Sequence, residues 1–153
     1  MTEAAAIKHW ILTDGKKCNS AHEFLYQLIL RLNQQGMQLL RTVINIRTLH
    51  PDVGAITYQW YNENLSLNLP FDFILRRFEH RFENAMVVEN VIARSAFETE
   101  AYRRSPFQAV RFERRRIVQQ LPLEDGGQDF PIYQDMRELG VRGYYARELE
   151  FTD

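Results

Sequence analysis

The strongest constraint on this chain is a change of hydrophobic period between residues 20 and 49. Ser20 and Glu23 form an S-x-x-E capping box, in which a hydroxyl and a carboxylate satisfy backbone N–H groups that a helix start leaves orphaned. Leu25, Leu28, Ile29 and Leu32 follow at helical spacing, and Gly36 stands where a left-handed stop is needed. From Gln38 to Leu49 the period becomes two, with Leu40, Thr42, Ile44, Ile46 and Thr48 on one side and Arg41, Asn45 and Arg47 on the other. A helix that must bury one stripe beside a strand that must bury one face requires helix packed on sheet.

The turn formers of His50-Pro51-Asp52-Val53-Gly54 lead into a second alternating stretch, Ala55 to Tyr61, with Ile56, Tyr58 and Trp60 together. The two stretches read as a β-hairpin. Upstream, Ile7, Trp10 and Ile11 lie at helical spacing in a segment that Thr13-Asp14-Gly15 brings to a stop, and this segment is expected to dock on the domain or on a partner. Between Asn62 and Tyr102 the pattern is the least legible. Phe71 to Phe82 suits a helix, and Ala85 to Ala93 suits either helix or strand. Ser105-Pro106 marks a helix start or a turn, and Arg114 to Leu121 alternates as a partly exposed strand does. Glu124 to Gly127 reads as a surface loop. Asp129 is placed to cap a helix carrying Ile132, Met136 and Leu139 and ending at Gly140. In a last strand, Val141, Tyr145, Leu149 and Phe151 alternate with Arg142, Tyr144, Glu148 and Glu150. The expectation is an α+β fold, an antiparallel sheet with packed helices like that of GAF or PAS modules, divided into an N-terminal helical segment over 1–15 and one domain over 16–153.

The chain is 153 residues long, 45% apolar and 25% charged, which suits one ordinary globular core. Its longest apolar runs fall far short of the ~20 residues of a membrane span, and its first residues lack the basic head and apolar core of a signal peptide. Cys18 is the single cysteine, so a reducing, cytoplasmic setting is expected. The net charge of −1 argues against a general nucleic-acid or membrane-surface binder. Charge is nonetheless uneven. Arg94 to Arg116 carries seven arginines against three acids, and the stretch from Leu121 onward carries eight acids against three arginines. Pairing of these stretches, within the chain or between chains, would neutralise both.

Arg47-Thr48-Leu49-His50-Pro51 followed by Trp60 resembles the N-terminal region of proteobacterial class III adenylate/guanylate cyclases. Tyr102 to Phe107 is similar to that family's Y-x-x-S-P-[LF] segment, and Asp129-Phe130-Pro131-Ile132 through Leu139-Gly140 to its F-P-x-x-x-D-L-R-x-x-G helix. Tyr144, Tyr145 and Phe151-Thr152-Asp153 continue like the family's strand and F-S-D-G turn. The resemblance covers roughly residues 22 to 153. It implies a non-catalytic GAF-like sensor region, ending before the module's last strand and helix, whose partner is a cyclase catalytic domain in cis or in trans. Ligand binding or homodimerisation there would modulate cyclic-nucleotide synthesis. The alternative expectation is a purely structural dimerisation or protein-interaction module with no ligand.

Four residues are candidates for binding a small-molecule ligand. Arg47 offers a guanidinium that grips an acidic group bidentately, or that pairs with a carboxylate such as Glu148 or Glu150. His50 offers an imidazole that titrates near neutrality, or one that hydrogen-bonds within its turn. Tyr58 and Trp60 offer aromatic walls for a pocket, or core packing. Arg114-Arg115-Arg116 reads as a solvated or internally paired face rather than a phosphate site. His9, His22 and His80 have no metal-ligand spacing, and no nucleophile–base pair, P-loop, zinc or Rossmann pattern is present. No catalytic residue, metal or cofactor is expected.

Overall fold

The computed structural model describes residues 2–62, 71–122 and 127–149. The chain forms two compact units, Met1–Arg94 and Ser95–Asp153, a partition that differs from the expected boundary at residue 15. Helices and a four-stranded antiparallel sheet together make the fold α+β.

In the first unit, helix α1 spans Glu3–Leu12 and α2 spans Ala21–Gln34. The capping box forms with one change. Ser20 Oγ accepts the Glu23 N–H at 3.1 Å, and the Glu23 carboxylate reaches back past the cap to accept the Asn19 N–H at 2.8 Å. Gly36 stops the helix at φ +87°, a conformation that costs glycine nothing. The N-terminal segment docks on the unit itself: Trp10 is buried, stacks on Phe24 at 5.6 Å, and lies under the Arg31 guanidinium at 4.2 Å. The turn after α1 passes so close that a Cβ on Gly15 would meet both the Phe24 ring and the Trp10 carbonyl at 3.1 Å.

The sheet contains β1 (Arg41–Arg47), β2 (Val53–Asn62), β3 (Ile74–Phe82) and β4 (Ala85–Ala93), in the order β1-β2-β4-β3. The expected hairpin is β1–β2, with Ile44 opposite Tyr58 and Thr42 opposite Trp60. The helix expected over Phe71 to Phe82 is instead a single 3-10 turn, Phe71–Phe73, running into β3. Ile74, Phe78 and Phe82 recur every fourth residue, which satisfies a helical stripe and one face of a strand equally. Pairing with β4 decides for the strand. Helix α2 covers one sheet face, where Leu25 and Ile29, each 1% exposed, meet Trp60, Ala85 and Val87. Each such aliphatic side chain contributes about 1.5–3 kcal/mol on burial.

The second unit holds α3 (Glu100–Arg103), α4 (Pro106–Glu113), β5 (Ile117–Gln120), α5 (Pro131–Glu138) and β6 (Gly143–Ala146). Ser105-Pro106 is a helix start: Ser105 Oγ accepts the Gln108 N–H at 3.3 Å, and Pro106 opens the helix without losing a needed donor. The cap of α5 is Phe130 rather than Asp129, because the fixed φ of Pro131 suits the first helical position and sets the boundary one residue later. Asp129 faces Arg137 at 3.4 Å instead. Strands β5 and β6 pair antiparallel, Ile117 opposite Ala146 and Val118 opposite Tyr145. The core comprises Ala109, Val110, Ile117, Leu121, Phe130, Tyr133 and Met136. Of the two alternating sets expected in the last strand, Tyr144 packs against this core and Tyr145 is exposed. The loop expected at Glu124 to Gly127 and the end of the last strand at Glu150 and Phe151 lie largely outside the described residues.

Candidate functional site

The four expected site residues separate into three places in the first unit. Arg47 ends β1 opposite Ala55 and is exposed. His50 belongs to the β1–β2 turn, where its Nδ1 accepts the N–H groups of Asp52 at 3.1 Å and Val53 at 3.2 Å. That makes His50 a turn-forming imidazole. The same turn is closed from outside by a residue the sequence did not single out. The Arg94 guanidinium donates to the carbonyls of Thr48 at 3.2 Å, Pro51 at 2.9 Å, Val53 at 3.3 Å and also His50. The Arg94 N–H donates to the Asp52 carbonyl at 2.9 Å. The R-T-L-H-P run is thus a structural joint tied to the end of β4.

Tyr58 and Trp60 share the face of β2 that α2 covers, and each enters a different group. Tyr58 sits opposite Glu89 and edge-on to His22 at 5.5 Å between ring centroids. His22, from the first turn of α2, is 8% exposed. Its ring lies 3.6 Å from that of His80, which β3 contributes, and its Nε2 lies 3.3 Å from a Glu89 carboxylate oxygen. The Nε2–carboxylate approach lacks hydrogen-bond alignment, so Glu89 stands as a nearby charge beside the imidazole rather than as its hydrogen-bond partner. Four titratable groups therefore converge from α2, β2, β3 and β4. Among the described residues no group of three His, Cys, Asp or Glu side chains is arranged to hold a metal ion.

Burial lowers the His22 pKa first, the neighbouring His80 lowers it further, and Glu89 opposes both. Burial raises the Tyr58 pKa, and the adjacent Glu89 carboxylate, to which it is hydrogen-bonded, adds to the effect. The sign for stability follows. The unfolded chain takes up the His22 proton near its ordinary value of 6.5, and the folded chain does so only at lower pH. The His22 contribution is complete above about pH 6.5 and is lost as pH falls through the lowered folded value. Denaturant midpoints are expected to drop as pH falls from about 7 toward 5, and His22→Gln is expected to remove most of the slope; an unchanged slope would contradict the assignment.

Trp60 lines a half-open recess of about 340 Å³ between the second half of α2 and the β3–β4 turn. Tyr26, Leu30 and Asn33 line it from the helix, and Glu83, Asn84 and Ala85 from the turn and β4. Asn84 holds the turn with φ +62°, a left-handed conformation that asparagine tolerates. Tyr26 stacks on Phe82 at 4.2 Å and donates its hydroxyl to the Glu83 carbonyl at 3.4 Å. Trp60 is 5% exposed, and its indole Nε1 has no hydrogen-bond partner among the described residues.

The opposite sheet face is buried and mixed, with Ala55, Tyr61 and Val88 beside polar side chains. Thr57 and Asn90 are cross-strand neighbours, Gln59 follows, and Arg77 donates to the Asn90 side-chain oxygen at 3.4 Å. In the second unit Arg115 pairs with Glu113 and Gln128, while Arg103, Arg104, Arg114 and Arg116 are exposed.

Sequence reasoning found Tyr58 and Trp60 but not His22, His80, Glu89 or Tyr26. The signal that could have found part of this group is the spacing of His22, Tyr26 and Leu30 by fours along the same helix, beside its apolar stripe. No family model matches the chain, no curated protein matches it, and no solved structure does. Among the described residues no helix is long and apolar enough to cross a membrane.

Proposed function

We propose that the chain is a non-catalytic regulatory module, a GAF-like input region of a cytoplasmic class III cyclase, and that α2 is its responsive element. The observation that carries this reading is the double duty of α2. His22 in its first turn belongs to the titratable cluster, and Tyr26, Leu30 and Asn33 along the same helix wall the recess. A proton at one end or a ligand at the other acts on one helix packed on one strand, β2. Two conformations that differ in the seating of α2 would differ in affinity for both, which is what coupling between sites requires. The R-T-L-H-P, Y-x-x-S-P-F and F-P segments add support of a limited kind. They form a turn and two helix starts, features that specify a fold rather than a ligand.

The test is cyclase activity. A class III catalytic domain joined in frame after Asp153 is expected to make cyclic nucleotide at a rate several-fold different from the same domain alone; equal rates would overturn the proposal.

One observation favours the second reading, an interaction module that pairs with its own copy. Val118, at 68% exposure, and Tyr145, at 57%, form an outward-facing cross-strand pair on β5–β6, a face that a partner would cover. A chain that stays monomeric at high micromolar concentration would exclude it.

A further inference from the structure

We infer that Glu89 is an exchanged carboxylate: the Tyr58 hydroxyl holds it while the His22 imidazole is neutral, and the Nε2–H of His22 takes it over when that ring gains a proton. The inference rests on the regulatory reading for its purpose and deepens it by naming the contact through which a proton acts on α2.

Three features of the cluster carry it. The first is the placement of His22 Nε2. That nitrogen is buried without a hydrogen-bond partner, and a Glu89 oxygen stands 3.3 Å from it, off the hydrogen-bonding direction. At that separation a change of side-chain torsion, with the strands left in place, aligns the two. The second is that Glu89 already has a partner. Tyr58 lies directly across from it in the β2–β4 pair, and its hydroxyl interacts with the carboxylate. A hydrogen bond between two charged groups is stronger than one from a neutral phenol, so a protonated His22 outcompetes Tyr58 for the carboxylate. The third is the stack of His22 on exposed His80, with ring centroids 3.6 Å apart. Two positive rings at that distance repel each other strongly. The pair therefore accepts one proton before two, and the direction in which Glu89 faces decides which ring keeps it.

The other charged groups around His22 are engaged or exposed. Glu23, its neighbour on α2, accepts the Asn19 N–H. In the 3-10 turn Asp14–Lys17, packed against α2, Asp14 and Lys17 pair with each other at 2.7 Å and Lys16 is exposed. Glu3, Lys8 and His9 on α1 are exposed, as is Arg76 on β3.

Long-range ¹H–¹⁵N spectra of the whole chain between about pH 4 and pH 8 read each imidazole separately. The chain has four histidines, and His9 and His50, outside the cluster, serve as internal controls. In the parent, the ring signals of Tyr58 are expected to move with the titration of His22. Tyr58→Phe frees the carboxylate and should raise the proton affinity of His22 about three- to tenfold. A merely structural role for Tyr58 gives the opposite sign or none, because more apolar surroundings disfavour the charged ring. Glu89→Gln should lower the His22 affinity about tenfold, and adding Tyr58→Phe to it should raise nothing. His80→Gln, at an exposed position, should raise the His22 affinity by removing the repulsion. Four results would each overturn the inference: an unchanged or lowered His22 affinity in Tyr58→Phe, a full Tyr58→Phe effect persisting beside Glu89→Gln, Tyr58 signals that ignore the His22 titration, or a His22 ring still neutral at about pH 4 in both the parent and Tyr58→Phe. A joined cyclase domain whose rate ignores pH would overturn the regulatory reading and leave the exchange standing, because the spectra need no catalytic domain.

Discussion

Arg94→Ala is expected to lower the stability of the first unit by about 2–3 kcal/mol, the worth of losing charge-assisted hydrogen bonds to several carbonyls at once. The guanidinium meets the carbonyls of Thr48, His50, Pro51 and Val53, so the β1–β2 turn closes around a cation. Without it those oxygens must turn to water, and the turn gains freedom that folding then has to remove. For a unit of this size the loss corresponds to a fall of about 10 °C or more in melting temperature. Arg94→Lys should recover less than half, because one ammonium cannot reach carbonyls spread around a planar fork. The measurement is denaturant unfolding followed by Trp10 and Trp60 fluorescence. A loss below about 0.5 kcal/mol would mean that water already satisfies the turn.

Tyr133 gives the second large effect, and its two substitutions are expected to differ in kind. Tyr133 is fully buried, edge-on to Phe130 at 5.3 Å and against Tyr144 at 5.2 Å. Removing the ring in Tyr133→Ala leaves a cavity in a small core, at a cost of about 3–5 kcal/mol. The hydroxyl, however, is buried with no hydrogen-bond partner among the described residues, and burial raises its pKa. Removing only that oxygen should therefore cost nothing, and Tyr133→Phe is expected to match the parent or exceed it by up to about 1 kcal/mol. A Phe variant destabilised by more than about 1 kcal/mol would reveal an ordered water on the hydroxyl.

Local rules made part of this fold legible. The capping box at Ser20, the glycine stop at Gly36 and the hairpin of β1 with β2 each rest on residues close in sequence, and each appears where expected, although Ile46, on the side of the expected alternation that carries Ile44, is exposed. Legibility failed where one spacing serves two periods. Ile74, Phe78 and Phe82 repeat at four, so only the partner strand β4 distinguishes strand from helix. It failed again by one residue at Phe130, where proline geometry outranks the better capping side chain of Asp129. The same limit applied to the site. His22, Tyr58, His80 and Glu89 come from four elements, and one of them, β3, was expected to be helical, so no spacing rule brings these residues together. Arg94 was visible only as the first member of an arginine run, and its role depends on the turn it closes. The proposed likeness to cyclase input regions rests on segments that build turns and helix starts, which specify local structure rather than a ligand.

The double duty of α2 makes a prediction about rate rather than stability. In the protein that joins a class III catalytic domain after Asp153, the ratio of its rate to that of the catalytic domain alone should change between about pH 5 and pH 8, the range in which histidine takes up its proton. That change should follow His22, because its ring contacts His80, faces Glu89 and sits on the helix that walls the recess. The deciding measurement is cyclic-nucleotide synthesis across this range for the parent and for His22→Gln. A pH-dependent ratio that flattens in the variant is the predicted result; a ratio of one at every pH, or a pH dependence identical in both proteins, would contradict the account.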